Sequence, residues 1–191
     1  RASIAEQIAS IELPEGYDMK WEGEKSASNE SMKYLFKYYP LAVILMIAIL
    51  IALFKDYRKP AIIVLCLPLL FIGVIFCMML SGKTFGFVAI VATLGLVGML
   101  IKNGIVLMDE ITLQINAGKE PVDALMESSA SRFRPVMLAS LTTILGMIPL
   151  LGDSLFGPAA VVIMGGLLVG TLITLLFIPV LYALFYRIRI K

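Results

Sequence analysis

Five long apolar segments constrain this chain more than any other feature of its sequence. They run from about Tyr34 to Phe54, Ala61 to Leu80, Phe85 to about residue 111, Pro135 to Leu151, and Pro158 to Tyr186. A helix needs about 20 predominantly apolar residues to cross the hydrocarbon core of a bilayer. Each segment is close to that length or beyond it, and the last is long enough to tilt. Composition agrees: 60% of the residues are hydrophobic and 16% charged, with a mean hydropathy of +0.94. A soluble domain carries about 45–50% apolar and about 25% charged residues. An ordinary soluble enzyme domain and an intrinsically disordered chain are both excluded. The fold class expected is an all-α membrane protein with five transmembrane helices.

Missing residues narrow the chemistry. The sequence has no histidine, which removes imidazole acid–base catalysis, histidine metal sites and the usual switch near neutral pH. Its two cysteines, Cys66 and Cys77, share one apolar run. Eleven residues of helix separate them by about 16 Å, too far for a disulfide, and both read as packing residues. A net charge of +2 gives no basic field for nucleic acid. No metal or other cofactor is expected.

The first thirty or so residues are a different material. Ile4, Ile8 and Ile11 recur at helical spacing before Pro14 and Gly16, and Tyr17 to Trp21 alternates like a half-buried strand. Seven of the fourteen acidic residues fall here. Residues 1–32 read as the end of a water-soluble αβ domain too short to bury its own core, and 33–191 as the membrane domain. There is no signal peptide and no initiator methionine, so the chain reads as part of a longer protein.

Basic residues in the connections set the orientation. Lys55, Arg58 and Lys59 follow the first span, and Lys119, Arg132 and Arg134 lie between the third and fourth. Arg187, Arg189 and Lys191 follow the fifth, whereas the alternate connections hold only Lys83. Nine against one places the C-terminus in the cytoplasm and the N-terminal tail outside. Tyr34, Tyr38 and Tyr39 form an aromatic belt at one end of the first span. Between the third and fourth spans, Glu120-Pro121-Val122-Asp123 opens like a helix. A short amphipathic connector along the membrane surface is expected there.

Lys102 is the residue that most invites a function. It lies well inside the third span, where an ammonium costs about 2.5–3.5 kcal/mol on insertion scales. Asp109 is on the same helix face but about 10 Å along the axis. Glu110 is rotated away, and both acids read as the end of the span, solvated or paired with Arg132 or Arg134. With no carboxylate at membrane depth, a buried, paired Lys102 needs a counter-charge from helices outside this chain. At the fourth span, Arg134 reads as an interface anchor. Arg132 and Ser140, with Thr142 and Thr143, line a polar track or serve only local hydrogen bonding. Gly95, Gly98, Gly104, Gly165, Gly166 and Gly170 favour close helix approach, and Gly166 to Gly170 is a GxxxG.

Taken together these residues resemble the C-terminal half of the membrane domain of a resistance–nodulation–division (RND) efflux pump. The stretches that carry the resemblance are Lys102-Asn103-Gly104-Ile105-Val106-Leu107-Met108-Asp109, Arg132-Phe133-Arg134-Pro135, and Ser140-Leu141-Thr142-Thr143 through Pro149. Met164-Gly165-Gly166 and Phe177-Ile178-Pro179-Val180 complete it. It covers essentially the whole chain and implies spans eight to twelve of twelve, an RND-type half-bundle preceded by the end of a periplasmic porter subdomain.

The resemblance implies that Lys102 pairs with two aspartates on the fourth span, in the other half of the pump. It implies a proton relay through Lys102, Arg132 and Ser140, with Asn103, Asp109, Thr142 and Thr143 as candidate supporting positions. The family's drug exporters often carry threonine where Ala139 stands, so Ser140 or water replaces that hydroxyl, or the relay is wired differently. The Lys102-Asn103 pair leans towards the hydrophobe and multidrug branch. Also implied are a bacterial inner-membrane location, drive by the proton motive force, a homotrimer, and a periplasmic adaptor with an outer-membrane channel. A superfamily relative in protein or lipid translocation and a non-transporting scaffold are the alternatives. An enzyme is disfavoured, because Asp109 and Glu110 point about 100° apart on a helix and make a poor acid–base dyad.

Overall fold

A computed structural model describes residues 24–188. The helix and strand expected before Trp21 lie outside the described residues. Five long helices follow: α1 (Glu24–Phe54), α2 (Arg58–Ser81), α3 (Phe87–Asn116), α4 (Pro121–Met147) and α5 (Gly157–Phe185). A short 3-10 helix, Ile148–Gly152, joins α4 to α5. All five long helices are apolar and long enough to cross a membrane, as the five apolar segments required.

Two compact units are distinguished, Arg1–Ala42 and Val43–Lys191, and their boundary falls inside α1. In the first, Tyr34, Tyr38 and Tyr39 are exposed on α1. In the second, α5 is the hub and packs against α2, α3 and α4. One core cluster gathers Ile62, Ile63, Met108, Ile111 and Ile178 with Leu50 from the end of α1. The other gathers Leu70, Val74, Leu96, Leu100 and Val162. A bundle in lipid gains little from hydrophobic burial between helices, so close backbone approach and interhelical hydrogen bonds must hold it.

Small residues supply that approach at α5. A Cβ on Gly165 would run into the Cys77 side chain, and one on Gly73 would stand 2.5 Å from Val169. On the next turns, a Cβ on Gly166 would strike Leu96, and one on Gly170 would stand 2.9 Å from Leu100. The GxxxG therefore faces α3, while Gly165 faces α2. Cys66 and Cys77 are unpaired, with Cys66 buried, as packing residues. Gly95 and Gly98 depart from the expectation of close packing, because nothing lies within 4 Å of where a Cβ would stand on either.

The connector before the fourth span also differs from expectation. It is not a separate surface helix: α4 starts at Pro121, passes through Pro135 and ends at Met147. Proline lacks the N–H of the helical ladder, but such breaks are tolerated in spanning helices where neighbours and local adjustments satisfy the freed carbonyl. At the far end of the bundle, Lys83 Nζ donates to the carbonyl of Leu151 at 2.7 Å. The Asp153 carboxylate accepts from the Leu155 and Phe156 amides, both at 2.7 Å. Those two amides hold the Asp153 carboxyl below the ordinary carboxylate range.

Candidate functional site

Helix α3 has one packed face and one open face. Thr93, Leu96, Leu100, Leu107 and Ile111 are buried, whereas Val91, Gly95, Gly98, Lys102, Asp109 and Leu113 are exposed. The exposed set recurs at steps of three, four and seven residues, and so forms one stripe along the helix. Lys102 stands in the middle of that stripe, about 22 Å of helix from either end. The expected burial of Lys102 is therefore not found within this chain, because no helix of the second unit covers the stripe. Among the described residues, no carboxylate lies within ion-pair distance of it. Asn103 is half-buried beside it.

The acids at the end of α3 are set differently. Asp109 is exposed, but Glu110 turns towards α4 and accepts from Arg132 at 2.5 Å. Gln114 donates to the other Glu110 oxygen at 3.1 Å. Arg132, read as a member of a polar track, is thus tied to α3 by one of the two acids expected at the end of that span. Behind this contact, Arg132 Nε and Gln114 Oε1 are buried without a protein partner. A donor and an acceptor thus stand open beside the ion pair.

Ser140 is buried and shares a 2.7 Å hydrogen bond with Thr171 of α5. Thr142 and Thr143 both donate to the carbonyl of Ala139, each at 2.9 Å. Their hydroxyls satisfy their own helix, the local alternative open at the sequence level. The structure thus brings Ser140 to α5 and Arg132 to Glu110. It does not bring Lys102 together with either.

Three contacts go beyond the sequence reading. Thr171 was not singled out, although a hydroxyl one residue beyond the GxxxG was a signal for an interhelical bond. Lys59, read as an interface charge, is buried, and its Nζ donates to Thr112 Oγ1 at 2.8 Å. Asp56 and Asp109 are the carboxylates close enough to act on it. Nearby, the Tyr186 hydroxyl donates to the Asp56 carboxylate, and Tyr186 stacks on Tyr182 with ring centroids 4.4 Å apart. The Tyr186 hydrogen bond holds the Asp56 carboxyl below its ordinary range. Burial, then the Asp56 contact, pushes the Tyr186 phenol up. No periodicity in the sequence joins position 56 to 186.

Five helices long and apolar enough to cross a membrane, with Lys102 mid-span on the open face of α3, make a membrane-type helical domain. A family model described as the AcrB/AcrD/AcrF family matches residues 2–186. The chain belongs to that family of RND efflux transporters. Among solved structures, it is similar to a heavy metal efflux pump in two crystal forms. One superposes with a TM-score of 0.74 and the other with 0.70, each at 26% identity over 97% of this chain. The chain spans 19% of the length of those pump chains.

Proposed function

We propose that this chain is the C-terminal part of the membrane domain of a proton-driven RND efflux pump, with Lys102 in its intramembrane proton relay. One observation carries the reading: Lys102 stands mid-span on the open face of α3, flanked by the bare glycines 95 and 98. An ammonium at membrane depth is held by a carboxylate or by water in a cavity. Bare glycines on the same stripe let another helix approach closely enough to bring that carboxylate. The partner helix belongs to the N-terminal half, where the family resemblance puts paired aspartates. Protonation of those carboxylates releases Lys102, and the helices on either side rearrange.

Arg132 and Ser140 serve the same path at two further depths. Arg132 is held by Glu110 with a buried donor beside it, and Ser140 and Thr171 share one hydrogen bond. Asn103 and Asp109 flank the path, while Thr142 and Thr143 shape α4 through Ala139. The proton motive force drives the cycle without a bound cofactor. The pump is a homotrimer in the bacterial inner membrane that works with a periplasmic adaptor and an outer-membrane channel. Its N-terminal tail is periplasmic and its C-terminus cytoplasmic.

The substrate reading is export of hydrophobic or amphiphilic compounds, supported by Lys102-Asn103. Export of heavy-metal ions is the second reading, favoured by the likeness to a heavy metal efflux pump. Efflux by the full-length protein in a pump-deficient bacterial host decides between them. The first reading expects resistance to dyes and detergents and none to metal salts, and the reverse pattern establishes the second. Lys102→Ala abolishes whichever activity is seen, and wild-type efflux from that variant contradicts the proton-relay role.

A further inference from the structure

An apolar groove of about 900 Å3 lies between the first turns of α4 and the last turns of α5. It is within the range of about 300–1,000 Å3 that holds small-molecule ligands. Buried Leu125 and Leu175 form its floor, and exposed Met126, Leu176 and Leu184 its walls. Along α5 it reaches from Leu175 to Arg187, about 18 Å at 1.5 Å per residue. That is close to one leaflet, half of a hydrocarbon core about 30 Å thick.

Among the residues that line the groove, Arg187 alone is charged, and it stands exposed at the mouth, where the helix has ended. Arg187 has no carboxylate within ion-pair distance among the described residues. Glu120, Asp123 and Glu127 line a neighbouring hollow that shares only Met126 with the groove, and there Lys119 pairs with Glu127 at 2.5 Å. A slot one leaflet deep, apolar along its length and cationic only at its mouth, matches an acyl chain below an anionic headgroup.

We infer that this groove is a binding site for an anionic phospholipid, with one acyl chain along α4 and α5 and the phosphate on Arg187. The leaflet is the one at the α5 C-terminal end, cytoplasmic under the orientation proposed above. The site is independent of what the protein transports. Its consequence is that the contact between α4 and α5, which also carries Ser140 and Thr171, is completed by lipid.

The test uses the full-length protein in nanodiscs of phosphatidylcholine and phosphatidylglycerol, with retained lipids counted by native mass spectrometry. Wild type is expected to retain phosphatidylglycerol by about fivefold over phosphatidylcholine, the contribution of one basic residue beside a charged leaflet. Arg187→Gln brings the two lipids to parity, Arg187→Lys keeps the preference, and Ala183→Phe lowers total retention by filling the groove. A second readout does not depend on those variants: Leu184→Trp places an indole on the groove wall. Brominated phosphatidylglycerol should quench its added fluorescence more than brominated phosphatidylcholine does. Equal retention by wild type, or an unchanged preference in Arg187→Gln, overturns the proposal. So does an indole shielded from both lipids, which means that another helix fills the groove.

Discussion

Glu110 and Arg132 join α3 to α4 through a 2.5 Å carboxylate–guanidinium contact at the end of the bundle that also holds Lys59 and Asp56. The contact is partly solvated, with side-chain exposures of 21% for Glu110 and 36% for Arg132. Removing one partner therefore costs less than it would in a fully buried pair. Its value lies in position, because it fixes the Arg132 side chain relative to the helix that carries Lys102.

Breaking it from either side has a predictable signature. Glu110→Gln and Arg132→Gln each cost about 1–2 kcal/mol of stability, as for hydrogen bonds to charged groups with some solvent access. The double variant costs less than the sum of the two, and the shortfall measures the coupling. Thermal unfolding of the purified full-length protein in detergent gives all four corners of the cycle. Strict additivity shows that the contact contributes nothing.

Ser140 and Thr171 behave differently because both are buried. Ser140→Ala leaves the Thr171 hydroxyl without its interhelical partner and costs about 1–2 kcal/mol. Thr171→Val alone has a similar cost, while the two together approach wild type, since neither helix then buries an unpaired hydroxyl. Unfolding in detergent again reads the effect. A double variant worse than either single one contradicts the assignment.

Gly166 packs where a Cβ would strike Leu96. Gly166→Ala should therefore destabilise the bundle by about 1–3 kcal/mol, as overpacking does. Leu96→Ala opens a cavity of its own, but its cost should be smaller in the Gly166→Ala background than in wild type, because the clash is with the Leu96 side chain. Strict additivity of the two places the strain elsewhere.

Asp56 gives a pH dependence with a fixed sign. The Tyr186 hydroxyl holds its carboxyl low, helped by the Arg58 amide and by the charges of Lys59 and Arg58. A carboxyl whose pKa falls on folding adds stability above its unfolded value of about 3.9 and loses it as pH drops through the lower folded value. Asp56→Asn should cost about 1 kcal/mol near neutral pH after allowance for solvent screening. The gap between variant and wild type should close below about pH 4. Melting temperatures at two pH values check it, and a gap that persists in acid contradicts it.

What was legible in the sequence follows from the kind of signal each feature leaves. Apolar length alone located all five helices, because lipid imposes a minimum span on every segment. The ends were less legible: α4 runs back to Pro121, since a proline at position 135 reads as a start although a spanning helix tolerates it internally. The Glu110–Arg132 pairing was foreseeable from two charges at adjoining span ends. Ser140 with Thr171, and Asp56 with Tyr186, were not, because each joins residues whose only relation is the packing of α5. Lys102 and Lys59 show the same limit from opposite sides. A mid-span lysine is exposed within this chain and an interface lysine is buried, because burial depends on which helices are neighbours.

In the proposed relay Lys102 works together with carboxylates beyond this chain. The most direct measurement is substrate-driven proton flux in proteoliposomes that hold the full-length pump, as wild type, Lys102→Arg and Lys102→Ala. Flux and transport should vanish together in Lys102→Ala while the protein stays folded and assembled, and Lys102→Arg should be strongly impaired. Coupled flux at the wild-type rate in Lys102→Ala would contradict a role for Lys102 in the relay.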